Sequence, residues 1–307
     1  MRATMEEVLR VAQTDSIVLF LGESGSGKDH LAQYLHEKSR RSIGSFFSIN
    51  CAALPSDLAE SELFGHEPGA FTGAQGRKRG LMELSEGGTI LLNEIGELSP
   101  LLQAKLLAFL DTQSFTRLGG EKSISVDARI LAATNRDLAQ EVEAGRFRSD
   151  LFYRINVFAI KVPPLRERSE DIPILAQELL ERLSKKLGRQ CAPTMGSSAI
   201  EKLSSYSWPG NVRELRNVLE RALILSRADH IIAKHIELHE AMKGEEKKSD
   251  LSVVLNISDG SSMTSQIEEA KKKLITEALQ RCGGNVSAAA RTLGVSREIL
   301  RHHMKKM

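Results

Sequence analysis

The sequence predicts an α/β chain with three parts: an αβα core built on a parallel sheet, a helical domain behind it, and a C-terminal three-helix unit ending in a helix-turn-helix. Three observations predict this. Short apolar runs alternate with helical patterns over residues 1–165. Helix-spaced apolar residues without a clear strand follow over 166–242. Two short helical patterns then meet at Leu293, Gly294, Val295 and Ser296.

Strands are expected at 17–21, Phe46–Asn50, 89–92 and 130–133, with a weaker candidate at 154–162 before the Pro163, Pro164 stop. The runs at 17–21 and 89–92 are nearly continuous in apolar residues, as in parallel strands covered on both faces. Helices are expected at 172–187, 197–204 and 211–226, the last after a Trp208-Pro-Gly turn. Residues 243–265 open with KGEEKK and contain DGSS, which reads as a linker. Helices at 267–281, 285–293 and 296–305 complete a domain over 266–307.

The bulk numbers set limits. A chain of 307 residues with 41% hydrophobic content supports two or three cores. Net charge is +2, yet nine Lys/Arg stand against four Asp/Glu between 268 and 307, leaving −3 for the rest. Any nucleic-acid contact therefore belongs to the tail. Cys51, Cys191 and Cys282 form no paired spacing, which argues against a zinc site or a disulfide framework and fits a reducing, cytoplasmic setting. No apolar run reaches membrane-spanning length, so no membrane association is expected.

The strongest local motif is GESGSGK at 22–28, between an apolar strand and a helix. Backbone N–H groups of Gly22, Glu23, Ser24, Gly25, Ser26 and Gly27, with the helix N-terminus, suit phosphate oxygens, and Lys28 reaches the β and γ phosphates of ATP. Asp29 stands where a hydroxyl usually lies near Mg2+; a carboxylate there can act through water. GTILLNE at 88–94 is an apolar strand ending in polar residues. Asn93 holds the position of a metal-binding carboxylate and ligates only through a neutral amide oxygen, whereas Glu94 can position the attacking water. Thr134 and Asn135 end another strand and either sense the γ-phosphate or cap a helix.

Taken together, these motifs strongly resemble the bacterial enhancer-binding proteins that activate sigma-54 RNA polymerase, of the nitrogen-regulator type. The resemblance also rests on ELFGHEPGAFTGA at 62–74, GGTILLNEIGEL at 87–98, FRSDLFYR at 147–154, PPLRER at 163–168 and WPGNVREL at 208–215, and it covers nearly the whole chain. It implies an AAA+ core (1–165) with a lid (166–242), which works as an ATPase in a ring, from dimer to hexamer. The family tolerates an acidic residue at 29 but places Asp at 93, so Asn93 implies reduced turnover.

The same resemblance makes Gly69, Ala70, Phe71, Thr72, Gly73 and Ala74 the tip of a loop that contacts the sigma factor. It makes Arg148 and Arg154 residues donated to the neighbouring subunit's ATP, and Arg213 a lid sensor; read alone, these are solvated arginines. Residues 115–120 resemble a second, pore-side loop. The segment 283–296 resembles a Fis-type helix-turn-helix that binds double-stranded enhancer DNA through Ser296, Arg297, Arg301, His302 and Lys305. A dimerisation bundle is the alternative for that tail. The family usually carries an N-terminal receiver or sensor domain, and only 16 residues precede the first strand here. Control in trans, or a longer parent protein, is expected. Two rivals stand beside this reading: another AAA+ machine, and a nucleotide-gated DNA-binding regulator whose hydrolysis Asn93 has impaired.

Overall fold

Five parallel strands form the central sheet of the computed structural model, which describes residues 1–189, 191–226, 230–238, 268, 271–276, 278–279, 285–295 and 297–305. The predicted linker at 243–265 lies outside these residues, as do Ser296, the Lys305 side chain and much of the predicted helix 267–281.

The first unit, Met1–Leu238, begins with α1 (Arg2–Ala12), β1 (Val18–Leu21), α2 (Lys28–Glu37) and β2 (Phe46–Asn50). Next come α3 (Ser56–Phe64), β3 (Gly65–His66), β4 (Lys78–Arg79), α4 (Leu81–Leu84), β5 (Thr89–Asn93) and α5 (Pro100–Thr112). Then follow β6 (Ser114–Thr116), β7 (Ser123–Ser125), β8 (Arg129–Thr134), α6 (Leu138–Glu143), α7 (Ser149–Ile155) and β9 (Phe158–Lys161). The main sheet has the order β2-β5-β8-β1-β9, with every pairing parallel.

Side chains alternate across the strands, which explains the continuous apolar runs. Leu19, Ile90, Leu92, Ile130 and Ala132 face a core shared with Leu63, Leu106, Phe109 and Leu151. Val18, Phe20, Leu91, Leu131 and Ala133 face the opposite core, with Val8, Val11, Leu31 and Leu35. Both faces are buried, so neither needs polar residues. Each fully buried Leu or Phe contributes roughly 1.5–3 kcal/mol. Ser99 accepts a hydrogen bond from the Leu102 amide and Pro100 opens the helix, which fixes where α5 starts.

One strand expectation is corrected. Residues 154–155 close α7 because Leu151 and Ile155, four apart, bury one helical face; the strand spans only Phe158–Lys161. Arg154 is therefore a helical residue.

Two hairpins escaped the sequence pattern. β3 pairs antiparallel with β4 and carries residues 67–77; β6 pairs with β7 and carries 117–122. His66 also bridges Leu118, so the two hairpin bases touch.

The helical portion contains α8 (Ile172–Lys186), α9 (Ser197–Ser204) and α10 (Asn211–Leu225) around Leu180, Leu203, Trp208, Leu215 and Leu219. It also contains a two-residue parallel pair, β10 (Thr194–Met195) with β11 (His230–Ile231), too short to leave a periodic signal. No helix among the described residues is long and apolar enough to cross a membrane.

In the second unit, the helix Val286–Thr292 and the helix Arg297–Lys305 pack Ala289, Ala290 and Leu300 against Ile275 and Ala278. Asn285 Oδ1 accepts from the amides of Ser287 and Ala288 and caps the first helix.

Candidate nucleotide site

The C-terminal ends of β1, β5 and β8 meet at the predicted phosphate loop. The loop leaves β1 at Gly22, whose amide donates to Thr134 O at 3.3 Å, and enters α2 at Lys28. Gly27 has φ 101° and nothing within 4 Å of where a Cβ would stand, so its outer face is open for a ligand. The Ser26 hydroxyl is buried and has no partner among the described residues. An open backbone concavity at a helix N-terminus suits phosphate.

Lys28 is buried, and its Nζ donates to Gly22 O at 2.8 Å and Glu23 O at 3.1 Å. Glu94 Oε1 lies 3.9 Å away. Burial lowers the lysine pKa, partly offset by Glu94 and Asp29. Glu94 has a left-handed backbone, φ 54°, immediately after β5, and its carboxylate accepts from the Asn135 amide at 3.2 Å. A non-glycine residue in that region costs energy, and here the conformation aims a carboxylate at the loop. Beside it, the Asn93 amide donates to Asp29 Oδ1 at 2.6 Å, and its oxygen accepts from the Glu94 N–H at 3.1 Å.

The helical portion closes over the same loop. Arg213 Nη1 donates to Ser24 Oγ at 2.7 Å, and the Val212 amide to Gly25 O at 3.0 Å. Arg168 Nη2 donates to Ser26 O at 2.6 Å. Asn211 is fully buried; its Nδ2 donates to Glu23 Oε2 and Ser24 O, and its Oδ1 accepts from the Leu165 amide. Arg166 grips Glu23 through both guanidinium ends, at 2.6 and 2.8 Å. The Arg166 and Asn211 bonds hold the Glu23 carboxyl down at about 2.

Sequence reasoning missed this role of Glu23 and the residues Arg166, Arg168 and Asn211. PPLRER and PGNVREL were visible as motifs, but nothing in their spacing names the loop as their partner.

The predicted Gly69, Ala70, Phe71, Thr72, Gly73 and Ala74 form a tight loop closed by a Gly69 amide bond to Ala74 O at 2.8 Å. Gly69 and Gly73 have φ 80° and 102°. Thr72 is exposed, whereas Phe71 is half-buried, edge-on to His66.

Arg148 and Arg154 are not brought to the phosphate loop of their own chain. Arg148 pairs with Asp150, and Arg154 with Asp111 and Leu110 O. On the last helix Arg297, Arg301 and His302 are exposed.

Against known families, residues 1–161 match the sigma-54 interaction domain, 166–252 an AAA+ ATPase lid domain, and 266–307 the Fis family of bacterial regulatory proteins. The chain belongs to the sigma-54 activators. This sigma-54 activator is 44% identical over 300 residues to the transcriptional regulatory protein ZraR of Klebsiella oxytoca, covering 98% of this chain and 66% of that one. It is 43% identical to the response regulator PilR of Pseudomonas aeruginosa, covering 100% and 68%. It is 45% identical to the Nif-specific regulatory protein of Azotobacter vinelandii, covering 100% and 58%. The chain thus spans roughly three fifths to two thirds of the length of these relatives.

NtrX from Brucella abortus superposes with TM-score 0.72 at 33% identity, covering 100% of this chain and 67% of that one. The same protein has been solved with ATP and with ADP. The sigma-54 activator fold is therefore an AAA+ core with parallel sheet, a helical lid and a C-terminal helix-turn-helix.

Proposed function

We propose that this protein binds ATP with Mg2+ at residues 22–29 and hydrolyses it to remodel sigma-54 RNA polymerase, while its C-terminal helices hold enhancer DNA. The observation that carries this reading is convergence: Lys28, Glu94, Asn135 and Arg213 all touch one loop or its immediate neighbours.

Lys28 releases the loop carbonyls and turns to the phosphates when nucleotide enters. Glu94 orients the attacking water. Mg2+ would neutralise phosphate charge, with Asp29 and Glu94 as the carboxylates that would hold it and Asn93 next to them. Arg148 and Arg154 act on the nucleotide of the adjoining subunit in a ring; within their own chain they pair with Asp150 and Asp111. The tip at 69–74 contacts the sigma factor. Arg297, Arg301 and His302 are exposed to contact DNA, and Ser296 and Lys305 join them as sequence-based candidates.

Specific ATP turnover measured against protein concentration tests the motor. A rise above a threshold concentration is expected for sites completed between subunits; constant specific activity overturns the trans roles of Arg148 and Arg154. Co-migration with sigma-54 in the presence of a phosphoryl transition-state mimic tests the target, and its absence overturns it. Asn93 favours one second reading, a nucleotide-gated DNA-binding regulator with impaired hydrolysis. ATP binding without turnover supports that reading, and robust Mg2+-dependent turnover removes it.

A further inference from the structure

The amide of Asn93 has no choice of orientation. Its neighbours are a carboxylate oxygen of Asp29, which only accepts, and the backbone N–H of Glu94, which only donates. The NH2 group must face Asp29 and the oxygen must face the backbone. The strand end therefore contributes no charge, and its one neutral oxygen is already engaged by the main chain.

Asp29 stands differently. It is exposed in the first turn of α2, next to Lys28. Its Oδ1 takes the Asn93 bond, and its Oδ2 has no hydrogen bond among the described residues. The 2.6 Å contact also excludes a second negative charge. A carboxylate at position 93 would face Asp29 across that distance, and two carboxylates so close repel unless a proton or a cation intervenes. With an amide, the pair is complete and carries a single charge. The open face of Gly27 marks the ligand side of the same loop.

We infer that Asp29, held in place by the Asn93 amide, supplies the carboxylate for the metal ion at this end of the phosphate loop. In this arrangement the charge has moved from the end of β5 to the start of α2, and Asn93 is a positioning residue. Mg2+ is ordinarily held by one or two carboxylates together with phosphate oxygens, a requirement that Asp29 and Glu94 meet without Asn93. The inference rests on the nucleotide-binding reading above.

The test uses the full chain and a fluorescent ATP analogue, titrated with Mg2+ against a chelator baseline, with Mn2+ binding followed by electron paramagnetic resonance. Asp29→Asn keeps the shape and the contact to Asn93. It is expected to raise the Mg2+ and Mn2+ midpoints by about tenfold or more, with the thermal midpoint near wild type. The swap Asp29→Asn with Asn93→Asp returns one carboxylate to the pair and is expected to recover most of the loss. Metal midpoints within twofold of wild type in Asp29→Asn overturn the inference alone. A wild-type protein that binds no nucleotide under either condition overturns the reading beneath it as well.

Discussion

Arg117 Nη2 sits 2.7 Å from Glu83 Oε2, with the arginine 6% and the glutamate 14% exposed. The other end of the guanidinium holds Glu67, at the base of the 69–74 loop. Leu118 accepts from the Glu67 amide and donates to Gly65 O. The second hairpin thus pins the first. Arg117→Ala removes the cation that Glu83 and Glu67 share, leaving only Arg79 on Glu83 and Arg77 at 3.8 Å from Glu67. Its expected cost is about 1–2 kcal/mol, between an exposed and a fully buried pair, read by denaturant unfolding. Faster amide exchange at Gly69 and Ala74 should accompany it. Wild-type exchange there would show that the loop does not depend on this contact.

The Glu23 latch makes a pH-dependent prediction. Its folded value of about 2 lies below the ordinary 4.5. Its stabilisation is therefore complete above pH ~4.5 and fades as pH falls towards 2. Both Glu23 and Arg166 are partly solvated, so Glu23→Gln should cost only about 1 kcal/mol at neutral pH. In urea unfolding from pH 7 to 3, the gap between wild type and variant should narrow in acid. A gap that stays constant to pH 3 would remove the ion pair as its cause.

The loop chemistry predicts a split between two variants. Lys28→Ala should abolish binding of a fluorescent ATP analogue. Glu94→Gln should keep binding within a few-fold and lower turnover by about 100-fold or more, measured by phosphate release. Equal loss of binding in both would place Glu94 in nucleotide capture instead.

Much of this site is legible from residue order, and the reason is local. GESGSGK between an apolar strand and a helix fixes Lys28 to the loop with no help from distant sequence. The end of β5 likewise places Asn93 and Glu94. The partners of Glu23 are 143 and 188 residues away, and those of Arg117 are 34 and 50 away. A Gly-rich stretch around Arg117 reads as solvated until the hairpin bases are paired. The apolar residues after Arg154 read as a strand, whereas the burial of Leu151 and Ile155 on one face makes Arg154 helical.

Cys51 should resist alkylation. It is 5% exposed, and burial pushes its thiol up to about 12. Cys191 is exposed. Peptide mass spectrometry after brief iodoacetamide treatment should find label on Cys191 and none on Cys51. Rapid native labelling of Cys51 would indicate that the core around Ile49 and Leu92 opens.

Asn285→Ala removes two hydrogen bonds to the first turn of its helix and should cost the C-terminal unit about 1 kcal/mol. The readout is the melting of that unit together with its retention on a DNA column at fixed salt. Unchanged melting would mean that the cap is replaced by solvent.

Nearly every bond that the helical portion makes to the loop falls on four consecutive residues, Glu23 to Ser26. α10 begins at that attachment and runs 15 residues outward, about 22 Å of helix. It is a lever whose short arm is a peptide loop. A tilt of about 10° about the attached end sweeps the far end through about 4 Å, so a displacement of the loop too small to break a hydrogen bond becomes, at the rim of the domain, a movement the size of an amino acid.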